Sequence, residues 1–413
     1  MSEWKNLSEL VERKIGYGIV QPGTMGGNVP VIKVNNIING LISPKELDTT
    51  TDEIASRYER TKLLGGELVI SLVGTVGATA IVPKSFAGCN LVRATGMIDI
   101  KDNVTAKYVK YYLETKKAKE FLYGRLNTTV QPTLNIKTLN ELPIPIIDRE
   151  KMVGIVSILS ALDDKIAVNR RICENLEAQA QALFKHWFID FAPFKDGNFV
   201  ESELGMIPEG LIYKRIEEME HTLETGKRPS GGVKGIISGV PSIGAENIKG
   251  LGCYDYSKTK YVTKEYAASM KKGKIKGYEL LIYKDGGKPG YFIPNFAIFG
   301  DGYPYEEMCL NEHVFKLDFG NKGYSMFAYF YFKSKQIMSY LNAQGAKAAI
   351  PGINSKDIES ILMPSIENDC VKQYCEEVKS IITQILILSK ESSRLASLRD
   401  TLLPKLMSGQ IKL

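Results

Sequence analysis

Few residues in this sequence have the types and spacing that catalysis requires. The three histidines, His186, His221 and His313, lack the spacing of metal ligands. The run Gly286-Gly287-Lys288-Pro289 resembles a phosphate-binding loop, but Ile282 occupies the position of that motif's first glycine and proline follows the lysine. The sequence also lacks an Asn-Pro-Pro-aromatic methyltransferase motif and a Gly-x-Ser-x-Gly nucleophile elbow. We therefore expect a binding protein with no active site, metal or cofactor of its own.

Residues of the types that bind nucleic acid lie between predicted strands in both halves of the chain. Lysine and arginine contact phosphates, while amide, hydroxyl and guanidinium groups form hydrogen bonds with base edges. We predict DNA contacts in the first half from Lys33, Asn35, Thr75, Arg93, Arg125, Asn127, Thr129 and Gln131, and in the second half from Arg228, Lys249, Lys284, Lys288, Tyr291 and Lys347. Among these we favour Arg125, the 127–131 loop, Lys284, Lys288 and Lys347.

Several of the polar residues in these segments have a structural alternative. Asn135 and Asn354 precede helix-like segments and are suited to cap them. Asn36 and Asn247 are suited to stabilise a turn, and Thr75 with its neighbouring glycines is suited to form a hairpin. Both interpretations remain open from the residues alone.

The composition is that of a multidomain globular protein. A chain of 413 residues is too long for one ordinary core, and its 44% hydrophobic content contains no run of about 20 apolar residues that could span a membrane. The net charge of +6 is compatible with nucleic-acid binding without proving it. No signal pattern is present and the six cysteines are scattered, so we expect reduced thiols and a cytoplasmic location.

An internal repeat organises the chain. Residues 4–9 parallel residues 213–218, and Pro30 with Asn36 parallels Pro241 with Asn247 at an offset of 211. Toward the end of each half the offset becomes 219, as shown by Pro132, Asn135, Leu139, Leu142 and Pro145 against Pro351, Asn354, Ile358, Ile361 and Pro364. The drift in offset predicts loop insertions in the second copy.

Each copy ends in a heptad pattern that predicts a long coiled-coil helix. Each helix of about 40 residues would be roughly 60 Å long, and its apolar stripe would be buried most simply against the other helix, antiparallel. Asn169 at a seam position either sets the register or is merely tolerated there, and Pro404 is expected to end the second helix. The seam positions are Ile155, Leu159, Leu162, Ile166, Asn169, Cys173, Leu176, Ala180 and Leu183, and 219 residues later Tyr374, Val378, Ile381, Ile385, Leu388, Ser392, Leu395, Arg399 and Leu402.

We predict an α+β fold with two similar mixed modules. Strands are expected at 67–72, 78–82 and 96–100, and a helix at 106–122 with a counterpart at 326–341. The predicted division is a first module at 1–147, a central helix at 148–190, a linker at 191–209, a second module at 210–365 and a C-terminal helix at 366–413.

Three segments resemble the specificity subunits of type I restriction-modification enzymes. Residues 159–172 and 176–188 resemble the central region of that family, residues 201–210 resemble its segment leading into the second target-recognition domain, and residues 398–409 resemble its C-terminal signature. The resemblance covers the whole chain. Leu211 replaces the usual Trp, residues 148–151 depart from the usual start of the central helix, and residues 366–388 are strongly diverged.

This resemblance implies a non-catalytic DNA-recognition subunit. Each target-recognition domain would contact one half of an asymmetric bipartite duplex, and the helices would set the spacing and bind two adenine-N6 methyltransferase subunits. S-adenosylmethionine, ATP and Mg²⁺ would belong to the methyltransferase subunits and to ATP-driven restriction subunits. The family's base-contacting residues vary, so none is transferred to this sequence. Phe184, Trp187 and Phe188, near His186, are a candidate methyltransferase-docking patch or, alternatively, the core of a helix end.

Two other functions remain open from the sequence. The chain could be a coiled-coil scaffold whose modules bind protein or RNA, or an enzyme with an unfamiliar site. A split footprint on DNA would favour the DNA-recognition subunit over both alternatives, and the same hypothesis predicts a steep fall of affinity with salt.

Overall fold

The computed structural model describes residues 3–20, 26–38, 40–127, 132–286, 290–347 and 350–413. The chain forms two compact units, the first comprising Met1–Asp164 with Leu395–Leu413 and the second Lys165–Arg394. Each unit therefore contains one predicted module together with part of both long helices. The predicted division had treated the helices as separate segments.

The first unit contains a mixed α/β module. Its central sheet has the strand order β2-β10-β7-β8, a second sheet has the order β6-β3-β9, and β4-β5 and β1-β11 form two-stranded ribbons. The strands are β1 Glu3–Asn6, β2 Gly16–Tyr17, β3 Val29–Ile32, β4 Ile37–Ile38, β5 Leu41–Ile42, β6 Asp48–Thr50, β7 Leu68–Ser71, β8 Thr79–Ile81, β9 Asn90–Leu91, β10 Thr95–Ile98 and β11 Pro143–Ile146. The helices are α1 Asp52–Ser56, α2 Asn103–Glu114, α3 Lys116–Tyr123 and α4 Ile136–Asn140, and α5 Arg149–Phe188 continues into the second unit.

The second unit repeats this architecture. Its sheet β15-β22-β19-β20 corresponds to the central sheet, and β17-β16-β21-β18 corresponds to the second sheet with one strand added. The strands are β12 Phe199–Ser202, β13 Gly205–Pro208, β14 Tyr213–Arg215, β15 Thr222–Thr225, β16 Val240–Ile243, β17 Lys260–Val262, β18 Lys274–Ile275, β19 Leu280–Tyr283, β20 Phe296–Ala297, β21 Met308–Leu310, β22 Val314–Asp318 and β23 Leu362–Pro364. The helices are α6 Lys264–Ser269, α7 Lys322–Phe332, α8 Lys335–Gly345, α9 Ser355–Glu359 and α10 Asp369–Met407. The predicted α+β repeat is confirmed.

Individual hydrogen bonds are duplicated along with the strands. The buried Glu67 carboxylate accepts from the backbone amides of residues 64 and 65 at 2.6 and 2.9 Å, and the buried Glu279 carboxylate accepts from those of residues 276 and 277, both at 2.7 Å. Glu67 lies just before β7 and Glu279 lies just before β19. In both places the carboxylate accepts hydrogen bonds from the backbone amides of a glycine-containing turn. The same carboxylate makes the same hydrogen bonds in both copies, so the repeat seen in the sequence is also a repeat of local structure.

Asparagines at equivalent positions hold turns and helix ends in both modules. Asn36 Oδ1 accepts from the Lys33 amide at 2.9 Å, and Asn247 Oδ1 accepts from the Gly244 amide at 3.0 Å. Asn135 and Asn354 cap α4 and α9 through their side chains. Asn36 and Asn247 are also buried, so the structural interpretation of these four asparagines is confirmed.

The predicted helix at 106–122 is interrupted in the structure. Thr115 ends α2 in extended backbone conformation, and its hydroxyl caps α3 by accepting from the Ala118 amide. Ser334 does the same between α7 and α8. The apolar residues keep a helical periodicity on both sides of Thr115 and of Ser334. The periodicity alone therefore predicted one continuous helix and did not show that the hydroxyl side chain begins a new one.

The two long helices run antiparallel in each unit. In the first unit Asp163 bonds to Arg399 at 2.8 Å, and in the second the Ala180 carbonyl accepts from the Tyr374 hydroxyl at 3.0 Å. The fully buried Asn169 donates across the seam to Glu391 at 2.6 Å and to Ser392 at 3.3 Å, which supports the register-setting interpretation. The expectation that Pro404 ends the second helix is wrong, because α10 continues to Met407.

Asp163 anchors the first module to the helix pair within the first unit. Its carboxylate accepts from Lys110 at 2.9 Å, from the Tyr111 hydroxyl at 2.8 Å and from Arg399 at 2.8 Å. Burial raises the pKa of Asp163, but the charge of Lys110 and these hydrogen bonds outweigh burial, so the pKa lies below its usual range. In the second unit Glu177 has the matching role, accepting from the Tyr329 hydroxyl at 2.8 Å and from Lys333 at 2.6 Å.

Candidate nucleic-acid interface

The turn between β7 and β8 exposes Thr75 in the first module. Gly74 and Gly77 have φ angles of +80° and +87°, which favour glycine. The Ser71 hydroxyl donates to the Thr75 carbonyl and accepts from the Ala78 amide at 2.9 Å. Thr75 thus forms the hairpin turn through its backbone, as the structural alternative proposed, while its side chain remains exposed.

The segment after α3 lies against this turn. The Tyr123 hydroxyl donates to the Val76 carbonyl at 3.3 Å. Arg125 is exposed, with its guanidinium carbon 3.8 Å from the centroid of the Phe121 ring. Asn127 exchanges backbone hydrogen bonds with Thr133, whose other strand neighbour is Val73. The structure therefore brings Thr75, Arg125 and Asn127 to one edge of the module, whereas Thr129 and Gln131 lie outside the described residues.

An open groove of about 580 Å³ lies between the hairpin turn and α3. None of the described residues that line this groove has a carboxylate, and the exposed Lys119 provides a positive charge. Lys119 is the only charged residue among the described residues of this lining, so the groove offers a single cation to a phosphate. The lining consists of Gly74, Thr75, Val76, Gly77, Ala78, Lys119, Tyr123, Leu126 and Pro132.

Lys33, Asn35 and Arg93 lie at the same end of the first module. They follow β3 and β9, which are neighbouring parallel strands, so both segments leave the sheet at one edge. The Leu72 amide at the start of the hairpin turn donates to the Ala94 carbonyl at 2.8 Å, which places this edge beside Thr75. Asn35 and Arg93 are exposed, while Lys33 is paired with Asp48 at 2.9 Å. Lys33 is therefore less available for a ligand than predicted.

The equivalent edge of the second module contains an ion-pair cluster. Arg228 Nη2 lies 2.6 Å from Glu312 Oε1 and 3.2 Å from His313 Nε2, and His313 Nδ1 is hydrogen-bonded to Asp285. Lys284 Nζ donates to the Glu312 carbonyl at 3.3 Å and lies 3.7 Å from the Asp285 carboxylate. Two predicted contact residues, Arg228 and Lys284, are therefore close together but are not free cations.

Glu312 and Asp285, which hold these two cations, are absent from the predicted contacts. Glu312 lies 219 positions after Arg93, which is the offset of the repeat. Arg93 follows β9, which runs parallel to β3, and Glu312 follows the equivalent strand β21, which runs parallel to β16. The repeat offset alone could therefore have identified Glu312 as the counterpart of Arg93. The other predicted residues here, Lys249, Tyr291 and Lys347, are exposed, and Lys347 is hydrogen-bonded to Gln344 at 2.8 Å. Lys288 lies outside the described residues.

The second module has a longer hairpin at this edge. Seven residues separate β7 from β8, but twelve separate β19 from β20. These five additional residues account for half of the drift in the repeat offset from 209 to 219, which the sequence had assigned to loop insertions. They lie where the predicted contacts Lys284, Lys288 and Tyr291 occur, so the two modules differ most at their exposed edges.

Comparisons with known proteins agree with this architecture. A family model described as "Type I restriction modification DNA specificity domain" matches residues 1–178. The MjaIX specificity subunit of Methanocaldococcus jannaschii is 27% identical, covering 94% of this chain and 90% of that protein. The HindI specificity subunit of Haemophilus influenzae is 25% identical, with full coverage of both chains. Residues 1–178 therefore match that domain family, and the chain as a whole is similar to type I restriction-modification specificity subunits.

A solved structure shares the fold of this chain. The type I restriction-modification S subunit from M. genitalium matches with a TM-score of 0.52 and 14% identity, covering 98% of this chain and 96% of that one. Similarity to type I specificity subunits indicates DNA recognition rather than catalysis, and assembly with other subunits. Among the described residues no cluster of metal-ligating side chains is found, and no helix is long and apolar enough to cross a membrane.

The prediction of a docking patch at Phe184, Trp187 and Phe188 is wrong. Phe184 and Phe188 are only 0% and 3% exposed, so a partner cannot reach them. Their rings lie 5.7 and 5.0 Å from that of Phe327, and Trp187 is partly buried with its ring 6.2 Å from that of Tyr374. The alternative is therefore correct: these aromatic side chains form the core of a helix end in the second unit. Packing against the Phe327 and Tyr374 rings explains why aromatic residues occupy this end of the helix.

Proposed function

We propose that each module of this specificity subunit recognises one half of a bipartite duplex DNA target. The observation that supports this most directly is the repetition of the whole module, with exposed polar and basic side chains on the same edge of each copy. The first edge has the exposed Arg93, Arg125 and Asn127, and the second has the exposed Arg228. Because the hairpin on this edge differs in length between the copies, the two half-sites would differ in sequence, making the target asymmetric.

The proposal includes partners that supply the chemistry. Two adenine-N6 methyltransferase subunits would bind the helices and hold S-adenosylmethionine, and restriction subunits using ATP and Mg²⁺ would join them in the cytoplasm. With Phe184 and Phe188 buried, docking needs a different surface. Val168 and Ile172, one turn apart on α5, are 43% and 39% exposed and provide an apolar stripe on the helix pair.

Footprinting tests this function directly. The chain is assembled with its methyltransferase subunits, and the genome of the host is mapped for N6-methyladenine to find the target. Protection of two segments separated by an unprotected centre is the expected result. One continuous footprint, or none, would argue against two independent half-site contacts, and binding of RNA in preference to duplex DNA would favour the scaffold alternative.

Salt dependence tests the contribution of the basic edge residues. Each phosphate contact releases counterions, so log K should fall linearly with log salt, with a slope of about −0.9 per phosphate neutralised. The exposed Arg93, Arg125 and Lys249 predict a steep slope. A flat dependence would show that these edges do not face the DNA backbone.

A further inference from the structure

A short segment of the second module, residues 271–276, concentrates positive charge on the surface. Its lysines are Lys271, Lys272, Lys274 and Lys276. All four are exposed, and within the part of the chain that the structure describes none of them forms an ion pair. Lys274 Nζ lies 3.5 Å from the Ala268 carbonyl, a contact that leaves its charge unneutralised. Other lysines of the same module, such as Lys260 and Lys316, pair with carboxylates at 2.6 and 3.2 Å. We call residues 271–276 the lysine segment.

The duplicated hydrogen bonds identify the equivalent segment of the first module as residues 59–64. The two buried glutamates described above accept from the last amide of each segment, at 2.6 Å in the first module and 2.7 Å in the second. A buried or half-buried cation also binds the fourth carbonyl of each segment, Arg13 at 2.8 Å in the first and Lys316 at 2.9 Å in the second. The two segments therefore align without a gap and have the same local structure.

The two equivalent segments differ in charge. The charged residues of the first segment are Glu59, Arg60 and Lys62, and Lys62 pairs with Glu59 at 3.3 Å. The net charge is therefore +1 in the first copy and +4 in the second. Because the first copy has the same local structure with a much smaller charge, folding of this segment does not require four lysines. The additional charge needs an explanation outside the fold.

The lysine segment starts at the edge of the second module where DNA contacts are predicted. β18 runs antiparallel to β21, with Lys274 opposite Cys309. The Leu310 amide, at the end of β21, donates to the carbonyl of residue 273 at 2.7 Å. Lys271 and Lys272 precede β18, so they lie at the end of the sheet where β21 leads into the ion-pair cluster.

The backbone of the lysine segment is held against the chain that leads to Arg228. Gly273 has a φ of +77°, and a Cβ added there would lie 2.8 Å from the Cα of Gly226, two residues before Arg228. Only glycine allows this approach. Glu224 accepts from the Gly273 amide at 3.0 Å and pairs with Lys316 at 3.2 Å. Glu224 therefore fixes the backbone, and its charge is matched by Lys316 instead of by the exposed lysines.

From this comparison of the two copies we infer that the lysine segment binds the phosphate backbone of duplex DNA beside the second half-site, independently of base sequence. A lysine ammonium binds phosphate as a point charge, so it adds affinity without reading bases. The inference rests on the proposed function, because it assumes that this edge faces DNA. It gives the second module the phosphate contacts that the ion-paired Arg228 and Lys284 are poorly placed to provide.

The salt dependence of DNA binding by the complete complex with its methyltransferase subunits tests this inference. A variant with all four lysines of the segment replaced by glutamine should reduce the slope of log K against log salt by about 3.6, at about 0.9 per phosphate contact. Between 50 and 200 mM salt its affinity should therefore fall about 100-fold less than that of the wild-type complex. Replacing the same four lysines with arginine keeps the charge and should keep the slope.

The repeat provides a matched control. Lys62 occupies the position of Lys274 in the first module but is paired with Glu59. Lys274→Gln should reduce the slope by about 0.9, whereas Lys62→Gln should leave it unchanged. Discrimination between duplexes altered at single base pairs should be the same in all of these variants, which also shows that they are folded.

Uncharged methylphosphonate linkages locate the contacted phosphates. Introduced one at a time beside the second half-site, they should weaken binding by the wild-type complex and have a smaller effect on the quadruple glutamine variant. The same linkages beside the first half-site should weaken both complexes equally. Equal losses for the two complexes at every linkage would overturn the assignment.

The contrary results are distinct. An unchanged salt slope in the quadruple variant with the split footprint intact would refute phosphate binding, and self-association of that variant would show instead that the lysines protect the open edge of β18. Loss of discrimination at one base pair would indicate a base contact, and failure to assemble with the methyltransferase subunits a protein-binding surface. Absence of a split footprint for the wild-type complex would refute the proposed function itself.

Discussion

Replacing Asp163 with asparagine removes the one negative charge that joins Lys110, Tyr111 and Arg399 in the first unit. The Asp163 and Arg399 side chains are 18% and 19% exposed, and that of Lys110 is 7% exposed. Breaking a fully buried pair from one side costs about 3–5 kcal/mol, because the remaining charge stays buried. Allowing for the partial exposure here, we expect a loss of about 2–4 kcal/mol in the free energy of unfolding of this unit.

Calorimetry and urea unfolding measure this loss. For a unit of this size the transition should move down by roughly 5–15 °C, and hydrogen exchange should accelerate in α2, which contains Lys110 and Tyr111. Glu120→Gln is the matched control. Glu120 pairs with Lys116 at 3.7 Å, but the two side chains are 65% and 89% exposed, so its loss should change stability by less than about 0.5 kcal/mol.

The cost of Asp163→Asn should depend on pH in a defined direction. Since the pKa of Asp163 is lowered in the folded state, its ionisation stabilises the fold above the ordinary pKa and this contribution is lost as the pH falls. Burial raises the pKa of the neighbouring Glu114 and the charge of Asp163 adds to that increase, so Asp163→Asn should also lower the pKa of Glu114 toward its ordinary value. The difference should be full at pH 7 and shrink below about pH 4. A cost under about 1 kcal/mol at pH 7, or an equal cost at pH 3, would refute this account.

Three further substitutions separate the roles assigned above. Phe184→Ala should destabilise the second unit by about 3–5 kcal/mol in urea unfolding; unchanged stability with lost methyltransferase binding would restore the docking interpretation. Asn169→Leu should raise stability by about 1 kcal/mol, because Oδ1 is buried without a hydrogen-bond partner among the described residues; a lower melting temperature would contradict this. Arg125→Ala should weaken DNA binding evenly and reduce the salt slope by about 1; loss of discrimination at a single base pair would show that Arg125 contacts a base instead.

Features with a local or periodic cause were predictable. The heptad positions are the buried or half-buried stripe of α5 and α10, because an apolar stripe on a long helix must be covered. Asn135 and Asn354 cap helices through bonds that span only three residues. The strands predicted at 67–72 and 78–82 occur at Leu68–Ser71 and Thr79–Ile81. Each of these depends on neighbours within a few positions.

Features that depend on distant partners were not predictable from residue type. Phe184 and Phe188 have the composition of a docking patch, and only the packing of α7 and α10 against them makes them a core. Arg228 and Lys284 have the composition of free phosphate contacts, yet Glu312, 84 positions after Arg228, changes the charge of the site. A basic residue's availability depends on what the fold places beside it.

By itself the sequence determined the duplicated α+β architecture, the two long helices, the resemblance to type I specificity subunits and the edges on which DNA contacts were sought. Repetition and periodicity are properties of the chain order, so they survive without coordinates. Only the tertiary structure decided which aromatic side chains are buried and that the second module pairs Arg228 with Glu312. Burial and charge pairing arise between residues that are remote in the chain, and residue spacing does not encode which of them meet.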